Sequence, residues 1–458
     1  MPKEINCDIT IIGAGLTGLV AAFYFTKAGK KVVLLEKDSH SGGVINTINE
    51  DGFVFEAGPN SGVLSHSEVF DLFDDLAPQC TLEKANKESK KRLIWKNGKW
   101  NALPGSPVEG ISTPLFSLYD KFRILGEPFR KKGNNPDESV AELVLRRLGK
   151  SFLDYAVDPF ISGIYAGDPN KIITRFALPK LYELEQNYGS FIKGAIKKKP
   201  APLPEGAKKP TREVFSASNG LINLVHALEN SIYKQNFFFN SENISVTPKD
   251  NSFATSFFQN GDDYTLNSEK VITTVGAYSL PSILPFIIKE QINQISNLEY
   301  AKVVQVALGF RKWNGIKLDA FGGLVPSVEK RKILGVLFTS SIFENRAPLG
   351  GAMLSVFMGG MRNPNAIDLS DNEIIKIVYT EINEMLGLQG AEPDLVRIFR
   401  YAHAIPQYGI TSEARLNRIY MIQKQYPGLI IAGNIRDGIG MADRIKQAKT
   451  IADSITGR

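Results

Sequence analysis

The chain has 458 residues, long enough for two or three domains at ~150 residues each. Hydrophobic residues make up 43% and charged residues 22%, a globular composition that excludes disorder, collagen-like repeats and coiled coil as the main architecture. The net charge of +6 is modest, and the two cysteines, Cys7 and Cys80, exclude a disulfide framework or a cysteine-based zinc site and suit a reducing compartment.

The first forty residues carry the clearest signal. Asp8–Ile12 is a short apolar, β-branched run that reads as a buried parallel strand. Gly13-Ala14-Gly15-Leu16-Thr17-Gly18 follows, then a buried helix over Leu19–Ala28 stopped by Gly29, then a second strand, Lys31–Leu35, with Glu36 and Lys37 at its end. This is a complete βαβ nucleotide unit. Gly13 makes the tight turn, Gly15 lets backbone approach a pyrophosphate, and Gly18 lets helix and strand pack closely. The helix N-terminus offers free N–H groups to phosphates, and Glu36 is placed to take a ribose. Gly42-Gly43 marks another point where backbone passes close to something large. Ile9–Thr26 has the length of a membrane span, but its three glycines make it the nucleotide unit instead.

Further along, basic residues cluster twice, seven from Lys84 to Lys99 and seven from Lys193 to Arg212. They read as a solvated face, an anionic lipid surface or an anionic substrate site. No nucleic-acid motif accompanies them, so nucleic acid is not expected as a partner. Helices are expected at Ser139–Leu148 and Phe152–Phe160, and Lys197–Pro210 reads as an exposed connection. Ser218–Leu221 reads as the cap of a helix returning to the nucleotide domain. Lys270–Val275, Val303–Phe310 and Ile333–Thr339 read as strands, and Asn372–Leu386 as a helix. The uncharged run Val271–Ile288 carries Pro281 and Pro285 and reads as strand, turn and helix. Gly428–Ala432 is a last buried strand. Gly433-Asn434 and then Gly438-Ile439-Gly440-Met441 lead into a helix over Ala442–Ile455 whose dipole suits a flavin. His40, His66, His226 and His403 show no ligand spacing, so no metal is expected.

These segments place the chain beside a known family. It resembles the oxygen-dependent porphyrinogen oxidases of haem and chlorophyll biosynthesis, within the amine-oxidase-like flavoproteins. The residues that carry the resemblance are DPFISGIYAGDPNKIITRFALPKLYELEQ (Asp158–Gln186), FEAGPNS (Phe55–Ser61), FGGLVPS (Phe321–Ser327), LGVLFTSSIFENRAP (Leu334–Pro348) and IIAGNIRDGIG (Ile430–Gly440). The resemblance implies an α/β chain with a Rossmann-like (GR2-type) FAD domain, a mixed-sheet substrate domain and a helical membrane-facing insertion. By that analogy the FAD domain comprises residues 1–70, 211–275 and 395–458, the substrate domain 71–94 and 276–394, and the insertion 95–210. FAD is then expected non-covalently bound by Gly13, Gly15, Leu16, Thr17, Gly18, Glu36, Lys37, Gly42, Gly43, Val44, Gly58, Asn434, Gly438, Ile439, Gly440 and Met441. Val44 stands where many relatives carry Arg, and the polar pair Arg436 and Asp437 fits no expected role.

The implied substrate is a porphyrinogen, protoporphyrinogen IX or coproporphyrinogen III, with molecular oxygen as acceptor and peroxide as product. Such a reaction needs positioning and a dry cavity more than a strong base. Arg92 matches a family arginine that grips a propionate, and Leu324 and Phe343 match residues that sandwich a pyrrole. Gly163 would face the substrate and Asn60 would lie near the flavin ring. An amine oxidase shares the fold, and Lys302 resembles its flavin-adjacent lysine, but the loop Gly438–Asp443 lacks the aromatic of an amine cage. The expected setting is cytoplasmic and peripheral on a membrane, through Leu115, Phe116, Leu118 and Tyr119 near Lys121, Arg123 and Arg130. The next haem-pathway enzyme is an expected partner, and the chain is compatible with a homodimer.

Overall fold

Two seven-stranded sheets, a two-stranded and a three-stranded sheet, and a helical lobe build the computed structural model, which describes residues 2–198, 206, 208–233 and 236–457. The first sheet begins with Lys3–Ile12, whose last four residues are buried on both sides, as a parallel central strand requires. It pairs in parallel with Val32–Leu35 on one side and Asp262–Thr273 on the other. Phe237–Phe238 extends one edge, and Leu429–Ile431 lies beside the end of Asp262–Thr273. An antiparallel hairpin, Glu242–Lys249 and Ser252–Gln259, completes it. Helices Leu16–Lys27, Ser67–Leu76, Ile222–Asn230 and Met441–Thr456 bury their apolar sides on one face of this sheet. Leu280–Ile283, Lys289–Ser296 and Ser412–Gln425 cover the other.

The second sheet is mixed. Its order is Leu395–Pro406, Tyr300–Phe310, Ala352–Gly359, Gly335–Leu337, Gly322–Leu324, Arg92–Lys96 and Lys99–Ala102. All its pairings are antiparallel except that of Gly322–Leu324 with Arg92–Lys96. One face is closed by helix Asp371–Leu386, whose Ile374, Val378 and Ile382 pack on Val304, Val306, Leu354 and Val356.

The expected division of the chain needs four corrections. Val69, Leu72, Phe73 and Leu76 pack into the nucleotide core, so the segment after residue 70 starts there rather than in the substrate half. Residues 277–298 also pack against the first sheet, because Ala277, Leu280, Ile283 and Ile292 meet Val246, Leu266 and Val271. Conversely, Leu395–Pro406 is the edge strand of the second sheet, and Trp95–Ala102 continues that sheet before the helical lobe begins.

The lobe comprises short helices from Pro107–Ser112 to Phe191–Lys197. Its centre is ionic. Arg147, fully buried, pairs with Glu127 at 3.0 Å and Glu185 at 2.6 Å, and Arg146 pairs with Glu185 and Glu138. The Glu127 carboxylate also takes the Phe191 and Ile192 N–H groups and the Ser190 hydroxyl. This polar cluster ties the short helices together beside an apolar one around Val140, Val144 and Ile161. Most of the connection expected at 197–210 lies outside the described residues.

Candidate functional site

The nucleotide loop is built for an occupant. The first helix begins earlier than expected, at Leu16, with Gly15 as an N-cap that supplies no side-chain hydrogen bond, so its first N–H groups are free for a ligand. A Cβ on Gly15 would meet nothing within 4 Å, whereas one on Gly18 would lie 2.0 Å from the Gly13 carbonyl. Open space at one glycine and a tight contact at the other are what a pyrophosphate and a helix–strand crossing respectively require. Gly42 donates to the Ala14 carbonyl and bridges to Gly15, which brings the glycine doublet onto this loop. The buried Glu36 carboxylate takes the N–H groups of Ala14 at 2.7 Å and Asp38 at 3.1 Å, which fixes its orientation at the strand end. Lys37 is exposed and pairs with Asp38. Leu16 and Thr17 are buried.

Val44 and Gly58 form one contact. At Gly58, with φ at +135°, a Cβ would come within 1.9 Å of the Val44 carbonyl, while the Val44 side chain points outward and is exposed. Asn60 is buried. Its amide donates to the Gly58 carbonyl, and its oxygen accepts from Ser355 of the second sheet at 2.8 Å. Gln305, also from that sheet, accepts from Gly58 N–H and donates to the Glu56 carbonyl. These bonds lock the loop Glu56–Asn60 against the second sheet.

At the other end of the chain, Gly433–Gly440 joins Leu429–Ile431 to helix Met441–Thr456. The Asn434 carbonyl accepts from the Tyr408 hydroxyl, and Gly438 N–H donates to it. Ile439 is half-buried, and Met441 is buried at the start of the helix. Gly440 N–H donates to Asp443, which pairs with His66 at 3.0 Å. Asp437 takes a positive φ of +61° and accepts from Arg436 and Gln447, so this polar pair braces the loop.

The second sheet leaves one face uncovered by its helix. Cross-strand partners share a face, so the register places Arg92, Gly322, Leu324, Gly335, Leu337, Ser355, Phe357 and Gln305 together on it. Gln305 and Ser355 reach from this face to the nucleotide loop. Gly163, on lobe helix Asp158–Tyr165, closes over it so tightly that a Cβ there would lie 2.6 Å from Leu324. Leu324, Leu337 and Phe357 are half-buried, and Phe160 and Ile164 beside Gly163 are exposed. Arg92 is exposed, 5.5 Å from the Phe321 ring, and makes no ion pair among the described residues.

Phe343 lies beneath the edge of this face, in a buried cluster against which Leu337 and Phe321 pack. It is 3% exposed, packed with Val214 and Ile342 beneath Arg346. The phenylalanine on the open face is Phe357, with Leu337 beside it; neither stood out from its neighbours in apolar runs. Among the described residues no group of His, Cys, Asp and Glu is poised for a metal.

A family model described as flavin-containing amine oxidoreductase matches residues 16–456. The chain belongs to that family. It is an oxidoreductase, and with a dinucleotide loop at its N-terminus FAD is its cofactor. It is 29% identical to the mitochondrial protoporphyrinogen oxidase of Nicotiana tabacum, over 98% of this chain and 94% of the relative. It is 28% identical to the coproporphyrinogen III oxidase of Bacillus subtilis, over 98% of each. A solved structure from Exiguobacterium sp. 255-15 shares the fold with a TM-score of 0.81 at 23% identity, covering 100% of this chain and 99% of that one. Reduced UDP-galactopyranose mutase does so with a TM-score of 0.74 at 16% identity, covering 98% and 96%.

Proposed function

We propose that this flavoprotein oxidises a porphyrinogen to its porphyrin, protoporphyrinogen IX in the first reading and coproporphyrinogen III in the second, with molecular oxygen as acceptor and peroxide as product. The observation that carries the proposal is the open face of the second sheet, glycine-floored and apolar around Leu324, Leu337 and Phe357, with the exposed Arg92 at its side. A porphyrinogen matches both features, being an apolar macrocycle that carries propionates. The names of the two porphyrinogen oxidases that the chain resembles along nearly its whole length support the same reading.

FAD fits the loops at Gly13–Gly18 and Gly433–Gly440, and when bound it supplies hydride acceptance at N5. The chain's own residues do the rest. Arg92 holds a propionate through a planar fork, Leu324, Leu337 and Phe357 bear on a pyrrole, and Gly163 brings lobe backbone close enough to shut out water. Asn60, held by Ser355, keeps the nucleotide loop in register with that face.

The lobe is proposed to rest on a membrane, through Leu118 and Tyr119 as expected but not through Leu115 and Phe116. Leu115 and Phe116 are buried, Phe116 stacked on Phe152, and so cannot touch lipid. Leu118, Tyr119, Phe122, Leu125 and Phe129 are exposed on the lobe. Lys121, Arg123 and Arg130 are engaged by backbone carbonyls within it. No helix of the described residues is long and apolar enough to cross a membrane.

The test is porphyrin fluorescence under air with each porphyrinogen, beside peroxide release from a panel of amines. Faster porphyrin formation from one porphyrinogen, with the amines inert, supports the reading and selects between its two forms. Turnover of amines with both porphyrinogens inert overturns it.

A further inference from the structure

Two arginines lie buried behind the loop Gly433–Gly440, and neither forms an ion pair among the described residues. Arg415, on helix Ser412–Gln425, is 1% exposed; its Nη2 donates to Ser412 at 3.2 Å, and its Nε and Nη1 have no partner. Its guanidinium stands 5.5 Å from the Tyr408 ring, whose hydroxyl holds Asn434 and Gly438. Arg444, one turn into helix Met441–Thr456, is 7% exposed. It donates to Gln447 at 2.8 Å and to the Arg436 carbonyl at 2.9 Å, and its Nε has no partner. The nearby carboxylates have other engagements, Asp443 with His66 and Gly440 N–H, Asp437 with Arg436 and Gln447.

A buried guanidinium without a paired counter-charge is unfavourable unless an anion forms close by, and although Asp443 and Asp437 act on Arg444 from a distance, neither pairs with it. The loop these arginines brace is the one assigned to FAD, whose isoalloxazine gains negative charge on reduction. We propose that Arg415, through Tyr408, and Arg444, through the helix N-terminus, are positioning residues that stabilise reduced over oxidised flavin and so raise its reduction potential. This rests on the FAD assignment and adds to it a pair of cations that tune the bound cofactor. The pyrophosphate is the other cofactor anion, but its charge is the same in both redox states, which separates the two.

The experiment uses the holoenzyme and its Arg415→Met, Arg444→Met, Arg415→Lys and Arg444→Lys variants. Midpoint potentials are measured against reference dyes, and oxidised-FAD dissociation constants by flavin fluorescence. Each Met variant is expected to weaken reduced relative to oxidised flavin about tenfold, a fall of about 30 mV for a two-electron couple. The Lys variants should keep most of the potential, and oxidised FAD should bind nearly as before. An unchanged potential overturns the proposal, whether oxidised affinity holds (a purely structural role) or falls (a pyrophosphate clamp). Should Arg415→Met fail to fold, Arg444→Met carries the same test. A wild-type protein without flavin would instead overturn the cofactor assignment.

Discussion

Gly15 and Gly18 lie on one turn of backbone but answer to different constraints, which makes them separable by mutation. Gly15 has φ near −70°, open to any residue, and empty space where its Cβ would go. Gly15→Val should therefore fold normally and lose FAD, because only the ligand needs that space. Gly18→Ala drives a methyl into the Gly13 carbonyl and should cost about 1–3 kcal/mol of stability by overpacking. Flavin absorbance and thermal melting read the two effects independently; a Gly15→Val protein that stays yellow would remove the pyrophosphate from this loop. Arg92 is a second residue whose role is exposed by its surroundings, since it has only the Phe321 face for company. Hydrogen bonds to charged groups contribute about 1.5–3 kcal/mol, so Arg92→Ala should lower kcat/KM by roughly 10- to 150-fold, largely through KM. Arg92→Lys should recover part of it, and FAD content should not move. Flavin loss with normal turnover per folded enzyme would make Arg92 structural.

Among the elements, helix Ile222–Asn230 shows how local reading falls short. Its sequence suggests a cap supplied by Ser218–Leu221, yet no side chain of its own caps it. The Glu56 carboxylate takes Leu221 N–H at 3.0 Å, and the Thr47 hydroxyl takes Ile222 N–H at 3.0 Å. Both come from a hairpin some 170 residues away. Burial raises the Glu56 pKa from 4.5 to about 7, against the pull of Thr47 and Leu221 N–H. The folded state thus keeps a proton that the unfolded chain gives up at ordinary carboxylate pH. Stability should be greatest below about 4.5 for this group and decline as pH rises toward 7. Thermal melting across that window should show the decline in the wild type and a flatter profile in Glu56→Gln; equal slopes would assign the dependence to another group. The first βαβ unit was legible because its strand, glycines, helix and acid are contiguous. The open face was not, since Arg92 gains its neighbour Gly322 only through a parallel pairing 230 residues away. Phe357 sits in Ala352–Gly359, apolar at nearly every position, so alternation could not say which side it faces. Phe343 was singled out only by resemblance, since polar residues flank the Ile342–Phe343 pair in sequence, and it is buried in a cluster against which Leu337 packs.

At the scale of the whole molecule, the lobe combines a buried ionic cluster with large apolar side chains on its surface. Its centre holds Arg147, Glu127 and Glu185, all buried, while Phe129 stands 85% exposed with Leu118, Tyr119, Phe122 and Leu125 at more than two-thirds. A contiguous set of exposed apolar side chains of this kind suits a contact with lipid or with another protein. The same lobe carries Gly163 over the open face, so the proposed lipid-facing surface and a wall of the proposed substrate cleft belong to one body. An apolar porphyrin leaving that cleft would then meet the bilayer or a membrane-associated partner before bulk water. Wild-type protein should float with anionic liposomes, and Phe122→Glu/Leu125→Glu should abolish flotation, because two carboxylates replace the apolar contact and repel the headgroups. Turnover of detergent-dispersed porphyrinogen should be unaffected, since neither residue approaches the face around Leu324. Lys193, whose ammonium lies 5.6 Å from the Phe129 ring, supplies charge at the same edge, so raised salt should weaken but not eliminate flotation. Binding by the double variant equal to that of the wild type would detach these side chains from the membrane and leave them as a contact for another protein.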